Sequence, residues 1–351
     1  LFDIEKFFNK SLPIEIAGYY NSGARDEITL KKNREIFNSY ELLPKLLRDV
    51  TKIDISKNFL GCDLKNPIIL APVAMQQMAH PDGEIAAAKA ANTHGSAMTL
   101  STSSNYSIED VAGHNKNLFF QLYFAKDRTI TENMLKKTKE YGFKAIVFTA
   151  DAPQLGTRER DERNNFKMPE HLSLGNFKGS ILEKFDDRDG SSMNMHNEVL
   201  FDRSLTFKII PWIKEVSGLP VLVKGILRPD DASLCFENGA DGIIVSNHGG
   251  RQLDTATPTL KQIEPLRKEI GKDKLLIVDG GIRRGTDILK CIALGADAIQ
   301  IGRPVLWGLN YSGKEGVELV LDILIKEFIE TMILTGCRNL NEITRDLVRE
   351  A

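Results

Sequence analysis

The sequence lacks most of the marks of a special environment. Its 351 residues include only four cysteines, Cys62, Cys235, Cys291 and Cys337, far apart and with no CxxC pair. This excludes a disulfide scaffold and reads as reduced thiols in an intracellular protein. No apolar run reaches the roughly 18 residues that a transmembrane helix needs, and no secretory h-region is present. No membrane partner is therefore expected. Neither sign of charge dominates. The formal net charge is −2, which gives no electrostatic reason to expect nucleic acid or an anionic surface as partner. No His/Asp/Glu pair has a ligand-like spacing, so no metal is expected. No GxGxxG follows the first apolar run, which speaks against a dinucleotide-binding fold. The chain starts with Leu and ends "LVREA", compatible with trimming at either terminus.

What the chain does have is a set of short, wholly apolar runs. They are "PIILAP" (67–72), "SAMTL" (96–100), "LFFQLY" (118–123), "AIVFT" (145–149), "VLVKG" (221–225), "GIIVS" (242–246), "LLIVDGG" (275–281) and "AIQIG" (298–302). Runs of this length that do not alternate with polar residues read as parallel strands buried on both faces. Amphipathic helical stretches separate most of them. Gly95, Gly142, Gly239 and Gly295 each lie within three residues of the start of a strand, where a glycine ends a helix at little steric cost. Repeated helix–Gly–strand units predict an α/β (β/α)8 TIM barrel in a single domain, 1–351. Residues 1–66 are expected to cap one barrel end. The barrel itself spans 67–310, with a long lid loop after the fourth strand (157–219) that includes the polar "DDRDGSS" (186–192). Residues 311–351 form C-terminal helices.

Active sites of such barrels lie at the C-terminal strand ends. Here those ends carry Pro72, Val73 and Ala74; Ser101; Gln121 and Tyr123; Thr149 and Asp151; Lys224; Ser246, His248 and Arg251; Asp279, Gly280, Gly281, Ile282 and Arg283; Gly302 and Arg303. "DGGIRRG" (279–285) and "IGRP" (301–304) combine flexible backbone, helix starts and arginines, the ingredients of an anion site. A phosphorylated cofactor or substrate is implied; the plainer reading is tight turns with solvated arginines. In "SNHGGRQLD" (246–254), His248 is the best general-base candidate, and Gly249 and Gly250 let the loop pass close to a ligand. Arg251 can hold a carboxylate through two parallel hydrogen bonds. Asp151 can orient His248. Lys224 can form a Schiff base, pair with a carboxylate or neutralise a developing anion. His80 is expected to help begin a helix, and His94, His114, His171 and His196 read as surface or loop residues. Tyr19 and Tyr20 either close the core or reach the mouth.

Assembled in this way, the motifs resemble the FMN-dependent L-2-hydroxy acid oxidase/dehydrogenase family. "APVAMQQMAHPDGE", "FFQLY", "TADAPQLGTRERD", "LVKG", "DGGIRRGTD" and "IGRP" support the likeness alongside "SNHGGRQLD", from "YYNSGARDE" to "LTGCRNL". The resemblance implies FMN as cofactor. His248 is then the base that takes a proton from the substrate, with Asp151 as its partner. Arg158 and Arg251 bind the substrate carboxylate with the Tyr19 hydroxyl, and Tyr123 bonds the substrate. Lys224 lies near the flavin where negative charge develops. Pro72, Val73 and Ala74 face the ring; Ser101, Gln121, Thr149 and Ser246 make further flavin contacts. Asp279, Gly280, Gly281, Ile282, Arg283, Gly302 and Arg303 grip the ribityl phosphate.

The implied reaction is oxidation of an L-2-hydroxy acid, lactate or longer, to the 2-oxo acid, with O2 as acceptor and H2O2 as product. Alternatives are a dehydrogenase passing electrons to a quinone or cytochrome, or a non-redox flavin-barrel isomerase. Where glycolate oxidases often carry a tryptophan, this chain has Ser103, which implies a roomier pocket; "LSTSSNYSIED" is closer to mandelate dehydrogenases. Relatives imply a homotetramer or octamer. The chain end lacks a Ser-Lys-Leu-type signal, so a cytoplasmic location is expected, with a peroxisomal one open if the C-terminus is trimmed.

Overall fold

The computed structural model describes residues 1–179 and 201–351. The chain begins with helices α1 (Phe2–Ser11), α2 (Ile14–Asn21) and α3 (Ile28–Glu35). In α1, Ile4 and Phe8 fall one turn apart and are buried, while Asp3 and Glu5 in the first turn and Lys10 in the last suit the helix dipole. Strand β1 (Tyr40–Leu42) pairs antiparallel with β12 (Val348–Glu350), tying the two ends of the chain together. A hairpin of β2 (Lys57–Phe59) and β3 (Cys62–Leu64) follows.

Eight strands then close a parallel barrel: β4 (Ile68–Leu70), β5 (Ala97–Ser101), β6 (Leu118–Leu122), β7 (Ala145–Thr149), β8 (Val221–Ile226), β9 (Gly242–Val245), β10 (Leu275–Val278) and β11 (Ala298–Ile301). Each pairs with its neighbours in sequence, and β11 returns to β4 with Ile299 opposite Ile68. The lack of alternation is now explained. Along β6, Phe119 points into the barrel beside Ala97, Ala145 and Ile277, whereas Phe120 joins the layer between barrel and helices. The four inter-element glycines all have positive φ, from 64° at Gly95 to 116° at Gly295.

The N-terminal segment does more than cap one end. Phe59, Leu60, Cys62 and Leu64 of the β2–β3 hairpin pack on the inward layer and close the barrel's N-terminal end. Helix α2 brings Tyr19 to the opposite mouth. The expected boundaries also shift. Helix α8 (Ile209–Ser217), within the 157–219 connection, is the amphipathic barrel helix between β7 and β8, with Ile209, Ile210 and Ile213 buried. Other described residues of that connection border the mouth: Arg158, which precedes α7 (Glu159–Arg163), residues 166–170, Leu172 and Phe201. "DDRDGSS" and His196 lie outside the described residues. At the C-terminus, α12 (Arg303–Thr335) crosses the expected break at 310. It bends at Ser312 and Gly313, whose φ/ψ values are non-helical, and its second part is the barrel helix that packs on α4 (Gly83–Thr93) and α11 (Gly285–Ala293).

Candidate active site

The C-terminal mouth holds a cavity of about 960 Å³, near the top of the usual range for small-molecule sites. Every candidate residue named above lines it except Asp151 and Ser246, which stand directly behind lining residues.

His248 is the centre of one cluster. Its Nδ1 lies 3.1 Å from Asp151 Oδ1 and its Nε2 lies 3.3 Å from the Tyr123 hydroxyl. An ionised Asp151 favours the proton on Nδ1 and leaves the Nε2 lone pair facing the cavity. Asp151 fits there because the strand opposite it carries Gly225, where a Cβ would lie 2.5 Å from the Asp151 Cβ. Burial lowers the His248 pKa from its ordinary 6.5, against the raising effect of Asp151. Burial alone would raise the Asp151 carboxyl, but His248 and Lys224 outweigh it and hold it below its ordinary value. His248 is itself in the left-handed region, with φ 58°, and its amide donates to Ser246 Oγ at 3.0 Å.

A second cluster is cationic. The Arg158 and Arg251 guanidinium groups lie 5.3 and 5.1 Å from the Tyr19 ring centroid. Arg251 Nη1 donates to the carbonyls of Tyr19 and Ser22 at 2.7 and 2.9 Å, and Arg158 pairs with Asp161 at 3.2 Å. Burial, and after it the neighbouring Arg158, pulls the Arg251 pKa down to about 10. Two cations crowded in this way, Arg158 buried and Arg251 part-buried, favour a bound carboxylate.

The third cluster is the expected anion site. Burial brings Arg283 down to about 10 and Arg303 well below its ordinary value; for Arg303, Arg251 and Arg283 add repulsion. Two of the backbone amides in this stretch are already occupied. The amides of Arg283 and Arg284 both donate to Asp287 at the start of α11, at 2.9 and 3.0 Å, so an anion here meets side chains rather than these amides. Arg303 also braces the site, donating to the carbonyls of Tyr20, Ser22 and Gly249. Lys224 donates to Ser246 Oγ at 2.8 Å and lies 3.3 Å from Asp279 Oδ2, so its pairing is with a carboxylate. Asp279 Oδ1 is buried without a protein partner, as a ribityl hydroxyl would require. Ser101, Gln121 and Thr149 form a hydrogen-bonded row across β5, β6 and β7. Buried cations, an orphan acceptor and a polar row together fit FMN.

The profile of the family described as FMN-dependent dehydrogenase matches residues 8–350. The chain belongs to this family. FMN is accordingly its cofactor. The chain is 44% identical to Glycolate oxidase 3 of Arabidopsis thaliana over 348 residues, covering 99% of this chain and 95% of the relative. Identity to Glycolate oxidase of Spinacia oleracea is 44% over 344 residues, covering 98% and 93%. Among solved structures, Mandelate oxidase with (S)-4-hydroxymandelic acid superimposes with a TM-score of 0.94 at 35% identity, covering 99% of this chain and 97% of that one.

Several residues at the mouth escape a reading of strand ends. Phe166 stacks on Tyr19 with centroids 4.1 Å apart, and Phe201 meets Tyr123 edge-on at 5.1 Å. With Leu155, Met168 and Leu172 they give apolar lining to the cavity that Ser103 also lines; "FKMPEHL" (166–172) was the available signal. The Tyr20 hydroxyl donates to the Met75 carbonyl and fixes the Pro72–Met75 turn. Buried Glu84 accepts from the amides of Gln76 and Asn105, clamping the loops after β4 and β5. His80 Nδ1 accepts the Asp82 amide just before α4, and His94 pairs with Asp322 at 2.8 Å. Asp254 accepts the amides of Ile28 and Thr29 and so caps α3.

Proposed function

We propose that this chain oxidises an L-2-hydroxy acid of lactate size or larger to the 2-oxo acid, with dioxygen reduced to hydrogen peroxide, and that His248 is the proton acceptor. FMN-dependent oxidation of a 2-hydroxy acid is its reaction class. The observation that carries the residue assignment is His248 Nε2, 3.3 Å from the Tyr123 hydroxyl in a cavity that Arg158 and Arg251 also line. Arg158 and Arg251 bind the carboxylate and, with Tyr19 and Tyr123, fix the carbon bearing the hydroxyl beside His248 Nε2. His248 accepts a proton from the substrate, and Asp151 stabilises the imidazolium that results. Bound FMN supplies the two-electron acceptor. Pro72, Val73, Ala74, Ser101, Gln121, Thr149 and Ser246 would meet its ring, Lys224 would sit where charge develops, and Asp279–Arg283, Gly302 and Arg303 would hold its ribityl phosphate.

Ser103 and the apolar lining support a substrate larger than glycolate. We also propose a cytoplasmic homo-oligomer, a tetramer or octamer. The exposed apolar side chains of Leu46, Leu47 and Leu334 support association.

The test is anaerobic. The yellow holoenzyme should bleach on mixing with L-lactate or a longer L-2-hydroxy acid, and failure to bleach with any of a panel would refute the proposal. Reoxidation by dioxygen should be fast; slow reoxidation would favour a quinone or cytochrome acceptor. His248→Gln should retain FMN and lose flavin reduction by roughly 10²–10⁴-fold.

A further inference from the structure

Helix α3 joins two loops that lie far apart in sequence. At one end of the contact, Asn33 and Asn247 exchange reciprocal side-chain hydrogen bonds, each 2.8 Å long. Both residues are buried. Asn247 Oδ1 also accepts the Gly250 amide at 3.1 Å, so Asn33 fixes both flanks of His248. A Cβ on Gly250 would lie 2.6 Å from the Leu30 amide nitrogen, so the helix backbone touches this loop where only glycine fits. On the other side, Arg34 Nη1 donates to the Gly281 carbonyl at 3.2 Å and to Asp287 Oδ2 at 2.6 Å. The same Asp287 oxygen accepts the amides of Arg283 and Arg284. A Cβ on Gly281 would stand 1.9 Å from the Asn33 carbonyl oxygen, so this loop too lies on the helix backbone.

His248 needs such support. A non-glycine residue in the left-handed region persists only where its surroundings hold it there, and His248 is followed by Gly249 and Gly250 at φ 63° and 76°. We propose that α3 is a strut between the His248 loop and the Gly280–Arg283 loop, with Asn33 as a positioning residue for His248, so that tightening the anion-binding loop tightens the loop that accepts the proton. This rests on the functional reading above for the role of each loop.

The test uses FMN-saturated enzyme and amide hydrogen exchange. Arg34→Gln alters a half-exposed side chain that reaches Gly281, Asp287 and the Phe2 ring but not the His248 loop. It should nevertheless quicken exchange in residues 246–251. Asn33→Ala should quicken exchange there and lower the limiting rate of flavin reduction about tenfold with little change in KM. Asn33→Asp keeps an acceptor for Asn247 Nδ2 and should fall between Asn33→Ala and the parent; it replaces Asn33→Ala if that variant does not fold. Exchange at 246–251 unchanged in Arg34→Gln would overturn the strut, as would a reduction rate in Asn33→Ala equal to the parent's. The exchange arm needs no turnover. A parent whose flavin no hydroxy acid bleaches would therefore sink the functional reading and leave the coupling measurable.

Discussion

Replacing Asp151 with asparagine asks how much the carboxylate contributes when His248 becomes charged. The side chain is nearly isosteric, and Asp151 Oδ2 already lies buried without a partner, so the change disturbs packing little. What it removes is a negative charge whose Oδ1 is 3.1 Å from His248 Nδ1. An ion pair at about 4 Å and an effective dielectric near 20 is worth about 4 kcal/mol. A charge-assisted hydrogen bond contributes about 1.5–3 kcal/mol net. Asparagine can still accept from Nδ1–H, so about 2–4 kcal/mol of stabilisation of the imidazolium should be lost. This corresponds to a roughly 30- to 1,000-fold slower reduction at saturating substrate. The interaction strengthens only as the proton arrives, so the effect belongs in the limiting rate rather than in substrate binding. Anaerobic stopped-flow of flavin bleaching, with FMN content matched, measures it. A loss below threefold, or a loss confined to KM, would refute the pairing.

Three further outcomes follow from the same geometry. Because His248 must be neutral to accept a proton and burial holds its pKa below 6.5 in the free enzyme, the second-order rate of flavin reduction at low substrate should be flat near neutrality and fall as pH drops through a midpoint below 6.5. Since Asp151 raises that pKa, Asp151→Asn should move the acid limb to lower pH still, and a parental midpoint above 7 would contradict the assignment. Ser103→Trp should fill part of the cavity that Ser103 lines, at a cost of about 1–3 kcal/mol for a phenyl-bearing or long-chain acid. A substrate panel should therefore show five- to hundredfold loss for those acids (about the factor that energy implies) and little loss for glycolate. Gly281→Ala combines φ 76° with a Cβ 1.9 Å from the Asn33 carbonyl. It should cost at least about 2 kcal/mol, seen as weaker FMN retention and a Tm lower by roughly 3 °C or more.

The barrel was legible because its strands are buried on both faces, and that burial writes unbroken apolar runs into the sequence. The mouth was legible because the strand ends carry His248, Lys224, Asp279 and the arginines, whose placement follows once the strands are known. Tyr20, Asn33 and Glu84 were not. Each acts through a partner remote in sequence, such as Asn247 for Asn33, and nothing local distinguishes it from an ordinary core or helix residue. The apolar lining was hidden because Phe166 and Met168 sit singly among polar neighbours, so a stretch that reads as solvated loop carries two side chains that face the cavity. The arginines of the expected anion site do line the cavity, but the motif does not reveal that Asp287, just inside the helix, accepts the amides of Arg283 and Arg284.

Among the described residues, the hairpin of Phe59, Leu60, Cys62 and Leu64 seals the N-terminal end of the barrel and leaves the cavity to open at the C-terminal mouth. Everything that visits the site must use it in turn. A product that lingers there blocks the next reactant, so 2-oxo acid should compete with hydroxy acid for one doorway. Exchange at the site is therefore governed by the mouth, because the other end of the barrel is packed shut.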